Sequence, residues 1–524
     1  MSRIRRAAVT AGFAYAQYGV AIGSGILLVP LTLHRVGAVA WGLWLASGEL
    51  LGHAGMVELG VLGVLPWMLA EADGRRDRVA MRHLVGHGVA VATFVGCLYL
   101  ALAAVGWVLL PRALHVTPAD RAMLAGPLLI LVVANAVSYP LRVMQGVLAG
   151  LQDVYFTGTF AVVNAVAGVA VTSVLLVKGY LLYALAVGAA LPAIVIQIAA
   201  LIRVLTLAPD LMMGWTRPTI ATVRPLVANG AGVWLGTVGW ALLAATNAIV
   251  ITYLGHPEWV TIYAVTAKLS TMSTQIAWVL PDSGLVGLAQ LYGEHRDPGR
   301  LRSVVIMILR LHLLLAGGAV CGFLAFNPAF VSRWVGAAFF GGLPLNALLA
   351  AAIIAASLIH GLITTASVLG NRLKVGTITL VNGVAQAAMA LVFGHFWGLV
   401  GIASAGLLAG ALTAVPAGVI LLRPATQLTV RQLMTDLIGP WFIRFTPLVG
   451  MAAIAGLFFR SLGMVSSGVI AAAISLLYLW HMRPFYAGLP LDARWSHWLV
   501  RLRLMPPVES TAVAAAVPVT LDRL

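Results

Sequence analysis

The stretch GELLGHAGMVELG, residues Gly48 to Gly60, lies inside an apolar run that starts near Trp41 and meets no cluster of charge until Glu71. Two glutamates and a histidine in a segment otherwise built to cross a bilayer need a reason. Placing one ionised side chain at the centre of a membrane helix costs about 2.5–3.5 kcal/mol on the insertion scale. Such groups face a partner or a wet cavity, so the fold turns on what this polar face borders.

Outside that stretch the chain is more uniform. Of 524 residues, 61% are hydrophobic and 9% charged, with a mean hydropathy of +0.99, whereas an ordinary soluble domain carries about 25% charged residues. The expected fold is an all-α polytopic membrane protein of about fourteen transmembrane helices with no separate soluble domain. The start, MSRIRRAAV, has the basic flank of a secretory signal, and Ala14-Tyr15-Ala16 mimics a cleavage site. The apolar stretch continues to Pro30, too long for a removable signal, so an uncleaved first span is expected. Cys97 and Cys321 each sit in an apolar run and read as small buried thiols, with no disulfide framework.

The expected spans are 7–34, 41–70, 84–110, 122–147, 155–177, 181–206, 222–254, 259–291, 303–331, 343–369, 375–394, 398–422, 441–460 and 463–482. Lys and Arg in alternate loops number roughly 24 on the side of the N-terminus against about 6 on the other, which puts both termini in the cytoplasm. The formal charge of +16 is therefore read as arginine retained at the inner surface, not as a nucleic-acid footprint. The chain also resembles itself at an offset of about 218 to 220 residues, as transporter halves do. Val36-Gly37 then Trp41 is echoed by Leu254-Gly255 then Trp259, Arg76-Asp77 by Arg296-Asp297, and Val163-Asn164 by Val381-Asn382. Six helices per copy gives two parallel lobes, 1–206 and 207–424, around a central cavity. Helices 13 and 14 (425–482) follow, then a cytoplasmic tail (483–524) with an interfacial helix around ARWSHWLVRLRL. A second interfacial helix is expected at TQLTVRQLMTDLIG. Glycines spaced by four, at 19 and 23, 48 and 52, 146 and 150, and 406 and 410, predict close helix contact.

Inside the spans stand Glu49, Glu58, Lys268, Asp282 and Arg310, with His53 and His312 nearby. At about 100° per residue, Lys268, Gln275 and Asp282 fall within about 40° of one another and form one polar stripe. Glu49 and His53 are about 40° apart on the second span, with Glu58 on its other side. An offset of 219 carries Glu49 onto Lys268, so an acid in one lobe corresponds to a base in the other. If both line the cavity, a substrate phosphate can compete for Lys268. The competing reading is a structural ion pair that fixes packing. Arg310 and His312, about three turns from the cytoplasmic end, read as structural. Asn164 and Asn382 read equally as interhelical hydrogen bonds or sugar contacts.

Residues 27–71, LLVPLTLHRVGAVAWGLWLASGELLGHAGMVELGVLGVLPWMLAE, and the later GHPEWVTIYAVTAKLS resemble the polysaccharide and O-antigen flippases of the multidrug/oligosaccharidyl-lipid/polysaccharide exporter superfamily, which are related to lipid II flippases. The likeness rests on the proline near the end of the first span, the Gly37 and Trp41-Gly42 entry to the second, and an acid before Leu59-Gly60. That acid is Glu58 here, where the family usually has aspartate. The resemblance implies a flippase that moves undecaprenyl-diphosphate-linked oligosaccharide from the inner to the outer leaflet of the bacterial cell membrane by alternating access. It implies Lys268 as the diphosphate contact, with Arg35 and Arg142 as secondary cations and Glu49, Gln275, Asp282, Asn164 and Asn382 along the path. Glu49, Glu58, Asp282 and His53 are the candidates for a coupling proton or cation. Partners implied are membrane lipids and the polymerase and glycosyltransferases of the same pathway, with the flippase itself a monomer.

The alternative within the superfamily is a cation-coupled multidrug antiporter. That group has about twelve helices and often a carboxylate in the first, where only Gln17 stands among the larger polar residues. A membrane glycosyltransferase or polymerase generally needs acids or a sizeable loop outside, and the first outer break, HRVGAVAW, has no acid. No enzymatic activity is expected. Without a G-x-x-x-x-G-K-[ST], H-E-x-x-H or C-x-x-C motif, no nucleotide, cofactor or metal is implied.

Overall fold

The computed structural model describes residues 3–54, 60–114, 116–294, 297–370, 372–458 and 463–486. Glu58, the side chain of His53, Arg296 and the segment ARWSHWLVRLRL with the tail after it lie outside the described residues. Within them every regular element is helical: α1 (Arg3–Val36), α2 (Ala38–Ala54), α3 (Val61–Gly74), α4 (Arg78–Leu114), α5 (Pro118–Gly150), α6 (Val154–Val177), α7 (Leu181–Leu207), α8 (Ile220–Tyr253), α9 (Pro257–Thr266), α10 (Lys268–Glu294), α11 (Pro298–Val331), α12 (Gly342–Leu369), α13 (Arg372–Ala409), α14 (Val415–Thr426), α15 (Val430–Leu433), α16 (Gly439–Phe458), α17 (Met464–His481) and α18 (Arg483–Tyr486).

Among the described residues, eleven helical stretches are long and apolar enough to cross a membrane. One of them, residues 372–426, holds two passages. Gly398, at φ +57, breaks the helix, and residues on either side meet in pairs: Gly394 against Ile402, Gly401 against the Phe393 carbonyl, and Gly406 against Gln386. That is an αα-hairpin with its turn in HFWG. Two further passages are each split into two helices, α2 with α3 and α9 with α10, and are not among the eleven because α2, α3 and α9 are too short and α10, 27 residues long, is too polar. Counting the hairpin as two passages and adding the two split ones gives fourteen.

The split passages enter the fold in the same way. Gly37 (φ +86) and Gly255 (φ +88) both turn the chain through left-handed backbone open chiefly to glycine, and each is followed by a helix whose tryptophan, Trp41 or Trp259, packs inward. Of the two expected interfacial helices, the one at TQLTVRQLMTDLIG is instead continuous with a passage. Thr429 caps α15 through a reciprocal capping box with Gln432, and a wide helical turn at Met434–Ile438 leads directly into α16.

One apolar core lies among α2–α5 and α7, with Leu65, Leu69, Val143 and Leu148 fully buried. A larger one lies among α10–α14 and extends to α16 and α17. The last two passages are clamped onto α11 through Tyr478, whose hydroxyl accepts from Trp441 Nε1 at 3.0 Å and donates to the Leu313 carbonyl at 3.4 Å. Gly317 and Gly318 leave room for that ring. A smaller cluster joins the two halves, with Val29 and Trp41 against Val265, Phe330 and Val331.

Glycine behaves in two ways. At 150 and 410 an added methyl group would lie 2.8 Å from Leu69 and 2.5 Å from Ile359, so these pairs pack closely as expected. Gly19, Gly23 and Gly48 face open space, which corrects that expectation: spacing by four marks a smooth helix face but does not supply a neighbour for it. Cys97 is exposed on α4 while Cys321 is buried. The sequence reading of Cys97 as buried fails because the outside of a membrane bundle is itself apolar, so a thiol in an apolar run can sit on either side of the wall.

Helix α8 packs closely on α13, where Gly239 backs onto the Thr379 backbone and Gly383 onto the Gly239 carbonyl. Gly239→Leu has no room and is expected to cost about 1–3 kcal/mol or more, lowering both yield and thermal midpoint in detergent. Gly19→Leu should leave the thermal midpoint unchanged. Equal effects of the two would contradict this packing.

Candidate functional site

The split between α9 and α10 positions Lys268. Ala267 interrupts the helix, which leaves the Thr266 carbonyl in need of a donor inside a bilayer. Asn327 on α11, fully buried, supplies it: its Nδ2 donates to the Thr266 carbonyl at 3.0 Å and to Asn346 Oδ1 at 2.7 Å. The Thr266 hydroxyl accepts from the Gly341 amide at 2.9 Å and donates to the Phe339 carbonyl at 3.3 Å. One turn on, Ser270 Oγ donates to the Leu349 carbonyl at 3.2 Å. The break is thus held from three sides by α11, α12 and the link between them.

Lys268 is the first residue after the break. It is half-buried, and its side chain crosses to α1. A Cβ on Gly25 would lie 2.6 Å from Lys268 Cε, 2.9 Å from Nζ and 2.9 Å from Met272 Cε. The Lys268 chain therefore occupies the space that glycine leaves on α1. It brings an ammonium group from the second half of the chain against a helix of the first.

Asp282 lies fourteen residues further along α10, about 21 Å on an ideal helix, with exposed Gln275 between them on the same face. Its carboxylate does not serve Lys268. It accepts from His360 Nε2 on α12, at 3.1 and 3.0 Å to its two oxygens, and His312 Nε2 on α11 lies 3.8 Å away. The His360 ring stacks on Trp278, centroids 3.9 Å apart and 1° from parallel. Trp278 is one turn before Asp282 and donates from Nε1 to Ser357 Oγ at 3.2 Å, one turn before His360. Two residues of α10 thereby grip two residues of α12. Gly361 permits the approach of α11, since a Cβ there would sit 3.0 Å from His312 Nδ1.

The other expected site residues are dispersed. Glu49 is half-buried on α2, which packs against α8 and α9. Arg35 is exposed at the end of α1. Arg142 is half-buried on α5, donating to Asn135 Oδ1 at 3.4 Å with its guanidinium 5.3 Å above the Tyr139 ring. Asn164 is half-buried on α6. Asn382 is buried and accepts from Thr413 at 3.0 Å across the hairpin, so its side chain already serves as an interhelical bond. Arg310 lies over the Phe485 ring at 5.1 Å. Sequence reasoning missed His360, Trp278 and the Asn327–Asn346 pair. A histidine deep in the apolar run 343–369 was the available signal for the first; nothing in the local pattern marked the others.

No family model matches the chain, and no curated protein matches it. The fold nevertheless has solved counterparts. A lipid II flippase, MurJ, in an inward closed conformation superposes with a TM-score of 0.64 at 12% identity, covering 90% of this chain and 98% of that one. An inward-facing multidrug resistance MATE family transporter of the MOP superfamily superposes with a TM-score of 0.60 at 15% identity, covering 79% of this chain and 96% of that one. An outward-facing MATE transporter gives 0.57 at 14% identity, over 80% and 96%. The chain has the fold of these transporters.

Because Lys268 fills the space beside Gly25, Gly25→Leu should displace it and mimic loss of the cation while leaving the protein inserted. Gly25→Leu with wild-type accessibility of Lys268 to an amine-reactive reagent would show that the two positions are not in contact.

Proposed function

We propose that the chain flips a lipid-linked oligosaccharide carried on undecaprenyl diphosphate, by alternating access of its two halves. The observation that carries this reading is Lys268, placed at the start of α10 and against α1. A helix start presents the positive end of its dipole and its unpaired amides, and a lysine there adds a full charge, so both favour an anion such as a diphosphate. Discontinuous helices that point their starts at anionic substrate groups are a recurrent device in transporters.

Two further features support the reading. Lys268 joins the two halves, so an anion bound there is sensed by both. The likeness to the lipid II flippase takes in more of the chain than the MATE transporters do, 90% against 79–80%, as a fourteen-passage transporter requires. In this reading Glu49 lies at similar depth in the facing half and balances Lys268 when no substrate is present. Arg35 and Arg142 attract the diphosphate near the two mouths, and Gln275 and Asn164 border the sugar path. Glu49, Glu58, His53 and Asp282 are the groups offered to a coupling proton or cation. Both termini lie in the cytoplasm of a bacterial inner-membrane protein, and lobes 1–206 and 207–424 are the moving parts.

The test is flipping in vesicles with defined lipid-linked sugars, run beside a cationic drug. A hydrogen bond to a charged group is worth about 1.5–3 kcal/mol, so Lys268→Ala should slow flipping by about 10–100-fold with insertion intact. Normal flipping by this variant would remove Lys268 from the mechanism. Transport of the drug in preference to the lipid would instead establish the multidrug antiporter reading.

A further inference from the structure

The cluster on α10, α11 and α12 has a feature that its role as a packing contact leaves unexplained. His312 is fully buried, and its Nδ1 lies 3.0 Å from the Ile308 carbonyl. A carbonyl only accepts, so Nδ1 carries the proton and the neutral ring presents a bare lone pair at Nε2. That atom has no hydrogen-bond partner. What faces it, 3.8 Å away, is Asp282 Oδ1, another acceptor. Two acceptors this close, one of them shielded from water, repel unless a positive species lies between them.

We infer that Asp282, His312 and His360 form a binding site for a borderline divalent transition-metal ion of the zinc class. One donor atom from each residue lies within 4.8 Å of the others. A tetrahedral zinc site with bonds of ~2.0–2.1 Å sets its donors ~3.3 Å apart. The His360–Asp282 separation of 3.0 Å is close to that; the His312–Asp282 separation of 3.8 Å has to close by about half an ångström, and the two histidine donors, within 4.8 Å, by up to about 1.5 Å. Two imidazoles and a carboxylate select zinc, copper, nickel or iron over sodium, magnesium or calcium, which prefer all-oxygen sets.

The surroundings are those of a built ligand set. The Ile308 carbonyl fixes the tautomer and ring orientation of His312, as the outer partner of a metal-bound histidine does. Trp278 holds the His360 ring in plane by stacking and is itself tied to Ser357. Asp282 and His360 retain side-chain exposures of 36% and 20%, enough to admit the ion and leave its fourth position to water or a ligand. Metal binding at His360 Nε2 uses the tautomer with its proton on Nδ1, so the proton that now bonds Asp282 moves to the other ring nitrogen as the ion enters. The inference rests on side-chain geometry alone and stands whether or not the chain flips a lipid-linked sugar.

The test uses full-length protein in detergent without a polyhistidine tag, titrated with Co2+ as a spectroscopic stand-in for Zn2+. Wild type should give visible ligand-field bands saturating at one ion per chain, bleached by Zn2+, and its thermal midpoint should rise with Zn2+. His360→Ala and Asp282→Asn, both at partly exposed positions, should each weaken Co2+ binding more than tenfold; His312→Ala should do the same if it folds by the same thermal criterion. Absence of the bands in wild type, or bands that persist in both His360→Ala and Asp282→Asn, would overturn the site. Protonation of the histidines without any Co2+ uptake would overturn it equally, since the bridging species would then be a proton.

Discussion

A backbone carbonyl without a donor costs several kcal/mol inside a bilayer, and this chain accepts that cost at Thr266 in order to break a membrane passage. The break is tolerated because Asn327, held by Asn346, donates to the freed carbonyl, and because the Thr266 hydroxyl and Ser270 tie the two half-helices to α12. What the break provides is a helix start within the passage, with Lys268 as its first residue. Remove the donors and a continuous helix becomes the better solution, and Lys268 becomes a buried cation on an uninterrupted wall.

The polar residues therefore sort into two neighbourhoods that the sequence had joined in one stripe. Lys268 belongs to the boundary between the halves, against Gly25. Asp282 belongs to the interior of the second half, gripped by His360 and Trp278 and faced by His312. Their common helical face is real, but about four turns separate them, and neighbours from other helices decide what each one does. The apolar cluster of Val29, Trp41, Val265, Phe330 and Val331 closes the boundary beside Lys268, so the lysine sits where the halves meet and not on an outer wall.

Much of the architecture was legible because a bilayer reads composition directly. Long apolar runs with short polar breaks fix the number of passages, and a glycine before a tryptophan at 37 and 41, repeated at 255 and 259, marks matching left-handed turns. Lys268 and Asp282 stood out because charge is expensive there. Contacts that depend on another helix were not legible. His360 meets Asp282 across 78 residues of sequence and Asn327 meets Thr266 across 61, and neither pairing leaves a periodic trace. Glycine spacing misled at 19 and 23 for the same reason: it describes one helix and is silent about its neighbour.

The glycines between α8 and α13 have a mechanical corollary. At Gly232, Gly236, Gly239 and Gly376 main chain rests on main chain, so along that stretch no flexible side chain lies between the two rods to repack when they are sheared. Sliding or rolling one past the other would drive carbonyls into Cα atoms. The two should therefore travel as a single strut, and since α8 is also the helix that α2 and α3 lean on, whatever tilts the strut at one end is felt by the opposite half as a displacement of a rigid bar.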